Sequence, residues 1–326
     1  MTDLKDKILD AVKNDLEGIE TALGQNLNPY LDLVNQTASH ILFSGGKRIR
    51  PLLMILSARI SGYKGEKDKT FSVVFEYLHA ATLLHDDIVD GAALRRGKPV
   101  ANSIWSNSST VLVGDFLLAR ALSISAQTRL PEVIEIIAKI TEYMSQGEIH
   151  QLIRKGKIDL SEDEYMDIIQ HKTAVLIEGA CRVGALIAGA TKEEEMALSK
   201  YGINLGIAFQ MVDDLLDYTS DVSTLGKAVG ADLKEGKLTL PVIYSLNKAG
   251  TKDRDKMEKI IKRKNFSDDD FFTFIEMLKK YEGIKYTKKL VLEYVDNAKK
   301  SLSVFKPSIT KENLLNIADY VIARKN

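Results

Sequence analysis

The sequence predicts an all-α protein, and three observations carry that prediction. Apolar residues recur three and four positions apart in stretches such as DAVKNDLEGIETAL and VVFEYLHAATLL, which is the spacing of an amphipathic helix. Sustained alternation of apolar and polar residues, the pattern of a half-buried strand, is hard to find. Only six prolines occur in 326 residues, so long helices are possible.

The punctuation of the chain predicts where individual helices begin. Pro51 follows FSGGKRIR as a residue of a first helical turn, and Pro131 opens another helix. Ser161 begins the capping pattern SEDE, and Pro241 restarts a helix after a glycine-rich stretch. From about Phe266 onward the chain is interpreted as lysine-rich amphipathic helices that form scaffold and carry no chemistry.

The composition is typical of a soluble globular protein, with 45% hydrophobic and 28% charged residues. Lysine plus arginine (45) balance aspartate plus glutamate (45), so we expect no nucleic-acid partner. No uncharged apolar stretch reaches the roughly 18 to 20 residues of a membrane span, so we expect no transmembrane segment.

Neither a linker nor a repeat divides the chain, and residues 1–326 are therefore interpreted as a single domain. The single cysteine, Cys181, excludes an internal disulfide, and MTDLKDKILD does not resemble a signal peptide. A cytoplasmic location is the simplest expectation.

Two acidic clusters with the same D-D-x-x-D spacing follow apolar helical sequence. They are Asp86, Asp87 and Asp90 in LLHDDIVD, and Asp213, Asp214 and Asp217 in FQMVDDLLD. Positions i and i+4 of a helix lie on one face about 6 Å apart, so each cluster directs two carboxylates the same way. Cations must relieve their repulsion, and hard oxygen ligands select magnesium or manganese. One cluster alone could equally be a solvated acidic turn, whereas two matching clusters favour a metal site.

Two polar residues continue the aspartate faces into apolar helix. His79 lies seven residues before Asp86, and Gln210 lies three before Asp213, with Gly206 one turn earlier. A lone histidine or glutamine is most often a satisfied core group. Because both share a face with an aspartate, we include them among the candidate binding residues.

Basic residues in four segments suggest that the metal site also holds an anion. They are Lys47 and Arg50 in SGGKRIRP, Arg95 and Arg96 in LRRGKP, Lys172 with Thr173 in QHKTAV, and Lys227 and Lys237 in LGKAVGADLKEGKLTLP. Each group alone is more often solvated surface. The backbone N–H groups of a helix start favour phosphate, and a glycine-hinged loop with lysines can close over phosphates.

Seven segments, in this order and approximate spacing, resemble the trans-isoprenyl diphosphate synthases, the polyprenyl synthetase family: GGKRIRP, LLHDDIVD, RRGKP, GDFLLARA, HKTA, FQMVDDLLD and GKAVGADLKEGKLTLP. The resemblance extends from about Gly45 to Pro241. It implies the isoprenoid synthase fold, in which long helices surround a deep central cavity with the aspartate clusters at its mouth, and usually a homodimer. The chain departs from the family pattern at Gly91 and at Ala228, which replaces a frequent proline.

The resemblance implies a magnesium-dependent, head-to-tail condensation of isopentenyl diphosphate onto an allylic diphosphate, expected to be farnesyl diphosphate. The implied catalytic group comprises the six clustered aspartates with Lys172 and Lys227. The metal ligands among them would be Asp86, Asp90 and Asp213. The residues that would hold isopentenyl diphosphate are Lys47, Arg50, His79 and Arg96. Those that would surround the allylic diphosphate are Arg95, Lys172, Thr173, Gln210, Lys227 and Lys237.

Product length is expected to depend on Thr82 and Ala81, four and five residues before the first aspartate. In the family, bulky aromatic residues there block the cavity of short-chain enzymes. Five helical residues descend about 7.5 Å, roughly one and a half isoprene units, so small side chains remove this shallow floor. We expect a product of C30 to C50, with C40 favoured as in the bacterial octaprenyl type that makes quinone side chains. A geranylgeranyl or farnesyl product is the alternative.

Three other interpretations stay open. A class I terpene cyclase also uses D-D-x-x-D, but it usually carries an N-D-x-x-S-x-x-x-E second site and would leave GGKRIRP unexplained. Glu76 and His79 form one E-x-x-H of a carboxylate-bridged di-iron bundle, although a second is missing. A non-catalytic subunit of a heteromeric synthase would not need both aspartate clusters.

Overall fold

The computed structural model describes residues 4–219, 230–263 and 266–324, and these are helical nearly throughout. The α-helices are α1 Leu4–Leu27, α2 Asp32–Leu42, α3 Ile49–Ile60, α4 Asp68–Val89, α5 Ala101–Ile104, α6 Asn107–Ala126, α7 Pro131–Arg154, α8 Glu162–Ile169, α9 Val175–Ile187, α10 Lys192–Thr219, α11 Ala231–Lys234, α12 Leu240–Lys248, α13 Thr251–Ile261, α14 Asp268–Lys280, α15 Gly283–Ser301 and α16 Ile309–Ala323. A π-helical turn, Gln170–Ala174, joins α8 to α9, and a 3-10 turn, Leu302–Val304, follows α15. The all-α prediction is confirmed.

The described strands are two short ones that form an antiparallel hairpin, β1 Leu94–Arg95 and β2 Lys98–Pro99. The helix starts agree with the sequence punctuation. Pro131 is the first residue of α7, and Pro241 lies in the first turn of α12. Ser161 and Glu164 form the complete capping box that SEDE predicted for α8.

Residue contacts divide the chain into two compact units. Unit 1 comprises Met1–Thr141, Leu176–Ser199 and Val304–Asn316, and unit 2 comprises Glu142–Val175, Lys200–Ser303 and Ile317–Asn326. The prediction of a single domain stays a prediction.

Helix α4 is the centre of unit 1, where it packs against α1, α3 and α6. Its Phe75 and Tyr77 are fully buried, and the Tyr77 hydroxyl donates to the carbonyl of Leu23 at 2.6 Å. A buried hydroxyl without a hydrogen-bond partner destabilises the fold. This bond gives the Tyr77 hydroxyl such a partner. The first aspartate cluster lies at the C-terminal end of α4, so the packing of this helix fixes the cluster.

In unit 2, α12 packs against α15, α14 and α8. The contact with α15 needs Gly283, since a Cβ there would lie 2.1 Å from the carbonyl oxygen of Pro241. Tyr244 of α12 stacks on Tyr286 of α15 with ring centroids 4.0 Å apart, and the Tyr286 hydroxyl donates to Glu162 of α8 at 2.7 Å. These contacts tie the start of α8 to the helices that follow the second aspartate cluster.

One described helix, α6, is long and apolar enough to span a membrane by length and composition. In its 18-residue apolar window 39% of the residues are buried, and the helix packs against α4 within unit 1. A core helix of a soluble protein passes the same test, so α6 is weak evidence of a membrane span.

Candidate functional site

The first aspartate cluster continues the helical geometry of α4 past its last residue. The N–H of Asp90 donates to the carbonyl of Asp86 at 2.8 Å, so the two residues stand one helical turn apart. Asp86 and Asp90 are half-buried, while Asp87 is 1% exposed. Two of the three carboxylates are therefore accessible, and they are the two that the i, i+4 spacing pairs.

Asp87 is a buried anchor for the hairpin that follows α4. The guanidinium of Arg95 donates to its Oδ1 from Nε at 2.8 Å and lies at 2.7 Å through Nη2. The resemblance implied that Arg95 contacts the allylic diphosphate. In the structure its guanidinium is paired with Asp87, and the neighbouring Arg96 has a left-handed backbone with φ 51°. The contact between Arg95 and the allylic diphosphate stays a prediction.

The basic residues of GGKRIRP have different environments in unit 1. Lys47 is exposed and Arg50 is half-buried, whereas Arg48 is 5% exposed. Arg48 donates to Glu20 at 2.6 Å, to Glu76 at 2.8 Å and to the carbonyl of Leu42 at 2.6 Å.

The sequence interpretation missed Arg48. The one sign of this contact in the sequence was Glu76, a charged residue inside the apolar run VVFEYLHAATLL. The pairing with Arg48 also gives Glu76 a structural partner, which removes the motivation for a di-iron ligand at this position.

His79, half-buried on α4, is a neutral side chain among arginines. Burial lowers its pKa well below the ordinary 6.5, and repulsion from Arg50, Arg96, Arg95 and Arg48 lowers it further. A neutral imidazole can donate one hydrogen bond without adding charge. Several guanidinium groups near one uncharged donor are an arrangement that can bind an anion, in a chain whose net charge is zero.

In the second cluster, on α10 in unit 2, Asp214 is a buried anchor. Its Oδ2 accepts the Tyr165 hydroxyl at 2.6 Å, and its Oδ1 accepts the Gln210 amide at 2.8 Å. Burial raises the pKa of Asp214 to about 6. Gln210 therefore bonds to Asp214, whereas its spacing had suggested that it continues the face of Asp213.

The other two aspartates of this cluster contact different elements. Asp217 accepts the backbone N–H groups of Ala231 and Asp232 at 3.0 and 3.1 Å, at the start of α11. Asp213 is half-buried and lies 2.6 Å from Nη2 of Arg324.

Arg324 is a second residue that the sequence interpretation missed. Its guanidinium lies over the ring of Phe209, 4.2 Å from the centroid, and is paired with Asp213. The C-terminal region, which was expected to be scaffold, therefore contacts one of the clustered aspartates. A single arginine in a lysine-rich C-terminal region gave no sequence signal for this contact.

The π-helical turn between α8 and α9 carries Lys172 and Thr173. Nζ of Lys172 donates to Gln151 at 2.7 Å and forms an ion pair with Glu148. The Thr173 hydroxyl donates to Oε1 of Gln210 at 3.0 Å. Its only proton is used in this bond, so in this arrangement Thr173 offers lone pairs alone.

A cavity of about 130 Å³ lies beside this turn within unit 2. Its lining includes Lys172, Thr173, Gln210, Asp214 and Lys237. The described residues that the resemblance implied for the allylic diphosphate therefore lie in unit 2, apart from Arg95. Lys227, Gly226 and Ala228 lie outside the described residues.

The two residues expected to set product length differ in accessibility. Ala81 is 4% exposed, whereas Thr82 is half-buried and donates its hydroxyl to the carbonyl of His79 at 2.9 Å. Thr82 is the more accessible of the pair, so a larger side chain meets less resistance there than at Ala81.

Within the described ranges, no group of three or more His, Cys, Asp or Glu side chains could hold a metal ion alone. Asp86 and Asp90 provide two accessible carboxylates one turn apart. Magnesium is usually bound by one or two carboxylates, with water and substrate phosphates completing its shell. The donor set therefore fits a magnesium ion that is bound together with a diphosphate.

A helical chain with a carboxylate pair at a helix end and a local arginine cluster has the features of diphosphate-dependent enzymes of the isoprenoid synthase fold. The family model described as polyprenyl synthetase matches residues 31–278. The chain belongs to the polyprenyl synthetase family, whose relatives below are prenyltransferases, so the predicted family and enzyme class are confirmed.

Three relatives illustrate the similarity. The octaprenyl diphosphate synthase of Escherichia coli (strain K12) is 36% identical over 319 residues, which cover 98% of each chain. Component 2 of the heptaprenyl diphosphate synthase of Bacillus subtilis (strain 168) is 33% identical and covers 100% of this chain and 92% of its own. The crystal structure of a polyprenyl synthase from Caulobacter crescentus CB15, complexed with calcium and isoprenyl diphosphate, has a TM-score of 0.91 at 36% identity and covers 98% of each chain.

Proposed function

We propose that the chain is an all-trans polyprenyl diphosphate synthase that condenses isopentenyl diphosphate head-to-tail onto an allylic diphosphate. The observation that carries this proposal is the accessible Asp86 and Asp90 pair, together with the arginines around neutral His79 in the same unit. Family membership supplies the reaction class, and the Caulobacter structure contains both a divalent cation and an isoprenyl diphosphate.

The isopentenyl diphosphate subsite comprises residues of unit 1, namely Lys47, Arg50, His79 and Arg96. In this subsite the arginines neutralise the diphosphate, and His79 donates a hydrogen bond without adding charge. The allylic subsite comprises Arg95, Lys172, Thr173, Gln210, Lys227 and Lys237, and Thr173 would turn its hydroxyl from Gln210 to the diphosphate. Gln210 contributes its second amide N–H, because the first is bonded to Asp214.

Magnesium bound by Asp86, Asp90 and Asp213, or manganese in its place, would neutralise the diphosphate that leaves as the allylic C–O bond breaks. Asp213, which is paired with Arg324 in the structure, would hold the cation in place of that contact. Asp87, Asp214 and Asp217 hold the helix ends and loops that direct these ligands. The isopentenyl double bond attacks the allylic cation, and the released diphosphate accepts the proton.

We further infer a long-chain product, C40 first, from a farnesyl diphosphate primer, because Ala81 and Thr82 are small. The similarity to the octaprenyl diphosphate synthase of Escherichia coli supports this length. We also propose a role in forming quinone side chains. A geranylgeranyl or farnesyl product is the alternative. We also propose that the chain forms a homodimer and acts in the cytoplasm.

The test incubates purified chain with farnesyl diphosphate, labelled isopentenyl diphosphate and magnesium, and then sizes the dephosphorylated products. We expect C40 alcohols, and no product with EDTA or with Asp86→Asn. A hydrocarbon formed from the allylic diphosphate alone would identify a cyclase instead. Activity that begins only when a second, different chain is added would identify a component of a heteromeric synthase.

A further inference from the structure

Lys172, the lysine of the proposed allylic subsite, is held between two side chains of α7. Its Nζ donates to the amide oxygen of Gln151 at 2.7 Å and is paired with the carboxylate of Glu148. Both charged side chains are largely buried, with 24% of Lys172 and 17% of Glu148 exposed. The pair is therefore less screened by water than a surface ion pair.

The main chain of the π-helical turn is closely confined on two sides. A Cβ at Gly147 would lie 2.6 Å from the backbone nitrogen of Lys172, and a Cβ at Gly206 would lie 2.6 Å from Cα of Ala174. Real Cβ atoms do not approach other atoms this closely, so both positions require glycine. Because Gly147 precedes Glu148 on α7, the backbones of Lys172 and Glu148 are held near each other. An anion bound by Lys172 where it is paired with Glu148 therefore also lies near the Glu148 carboxylate.

A carboxylate in this position opposes the binding of a diphosphate. Like charges a few ångströms apart in a half-buried site repel strongly enough to change an affinity about tenfold or more. A glutamine could accept the same hydrogen bond from Lys172 without repelling the anion. The negative charge itself, rather than the hydrogen bond, therefore calls for an explanation.

We propose that Glu148 is a positioning residue that weakens the allylic subsite, so that inorganic pyrophosphate leaves after each condensation. The inference rests on the proposed function, in which the allylic C–O bond breaks at this subsite and its diphosphate departs with the proton from isopentenyl diphosphate. A chain that grows by five carbons per cycle must clear the subsite every time. When the anion leaves, the Lys172 ammonium forms its ion pair with Glu148 again.

Isothermal titration of the full chain with inorganic pyrophosphate and magnesium tests the charge directly. We expect Glu148→Gln to bind pyrophosphate about tenfold more tightly, and Gln151→Glu to bind it about tenfold more weakly. The double variant Glu148→Gln/Gln151→Glu moves the carboxylate to the other side of the same ammonium, so its affinity should return near that of the wild type. Glu135→Gln removes an exposed charge from the same helix and should change nothing.

Steady-state kinetics provides a second readout. In Glu148→Gln we expect a lower KM for the allylic substrate together with a lower kcat, because pyrophosphate release slows, and we expect shorter products. An unchanged pyrophosphate affinity in Glu148→Gln, or a double variant that does not recover, overturns the inference. If circular dichroism shows that Glu148→Gln does not fold, the pyrophosphate affinity of Gln151→Glu tests the inference instead. Weaker binding supports the inference, and unchanged or tighter binding overturns it. A wild-type chain that does not bind pyrophosphate with magnesium refutes the proposed function instead.

Discussion

Replacing Arg48 by methionine should be among the most destabilising single changes in unit 1. The Arg48 side chain is 4% exposed and lies 2.8 Å from the Glu76 carboxylate, which is itself 8% exposed. Methionine retains much of the apolar volume but removes the guanidinium. Glu76 would then be a buried carboxylate without its cationic partner.

The magnitude follows from the burial of each partner. Removing one partner of a buried ion pair costs about 3–5 kcal/mol, because the other charge is left uncompensated. Glu20, the second carboxylate on Arg48, is 44% exposed and can be solvated by water, so it adds at most about 1 kcal/mol. We therefore expect Arg48→Met to lower the free energy of unfolding by about 3–5 kcal/mol.

Urea denaturation followed by circular dichroism measures this change, and a second variant tests its cause. Glu76→Gln in the Arg48→Met background should recover part of the loss, because it removes the stranded charge. Arg263→Met is the matched control, since Arg263 is 58% exposed in its pair with Asp270 and should matter little. A loss below about 1 kcal/mol, or no recovery in the double variant, would refute the reasoning.

Four further substitutions have defined outcomes. Tyr165→Phe removes the hydroxyl that donates to Asp214 and should cost about 1.5–3 kcal/mol of unfolding free energy in urea, because hydrogen bonds to charged groups are worth that much. His79 has a pKa well below 6.5 in the fold, so the unfolded chain takes up the extra proton below that pH. Stability should then fall by up to about 1.4 kcal/mol per pH unit, and His79→Gln should flatten this slope in urea melts between about pH 7.5 and 5. Ala81→Tyr should shift the products to shorter chains, and an unchanged length distribution would exclude a cavity floor at this level. Thr82→Tyr, at the more accessible position, should also shorten the products but with less loss of stability.

The features that the sequence could predict are those that depend on residues close together in the chain. Helical periodicity and the residues at Pro131 and Ser161 predict helices and their starts, and i, i+4 spacing predicts that Asp86 and Asp90 share a face. Such features depend on neighbours within one turn, so tertiary packing does not alter them.

The partners of the buried aspartates could not be predicted in this way. Tyr165 is 49 residues from Asp214 in sequence, and nothing around either residue specifies the other. The hydrogen bond exists because packing in unit 2 brings α8 beside α10. The same reasoning applies to Arg324 and Asp213. Identical residue types in the two clusters therefore have different environments, which the D-D-x-x-D pattern alone does not distinguish.

The π-helical turn Gln170–Ala174 makes the fold and the chemistry separable at one point of the chain. A π turn accommodates one more residue than an α turn in a similar position along the helix. Deleting one residue there would allow an uninterrupted α-helix, with α8 and α9 keeping the faces they bury, while Lys172 and Thr173 would point elsewhere. A relative shortened by one residue in this turn could thus retain the architecture and lose the site, which would make helix length a marker of catalytic competence.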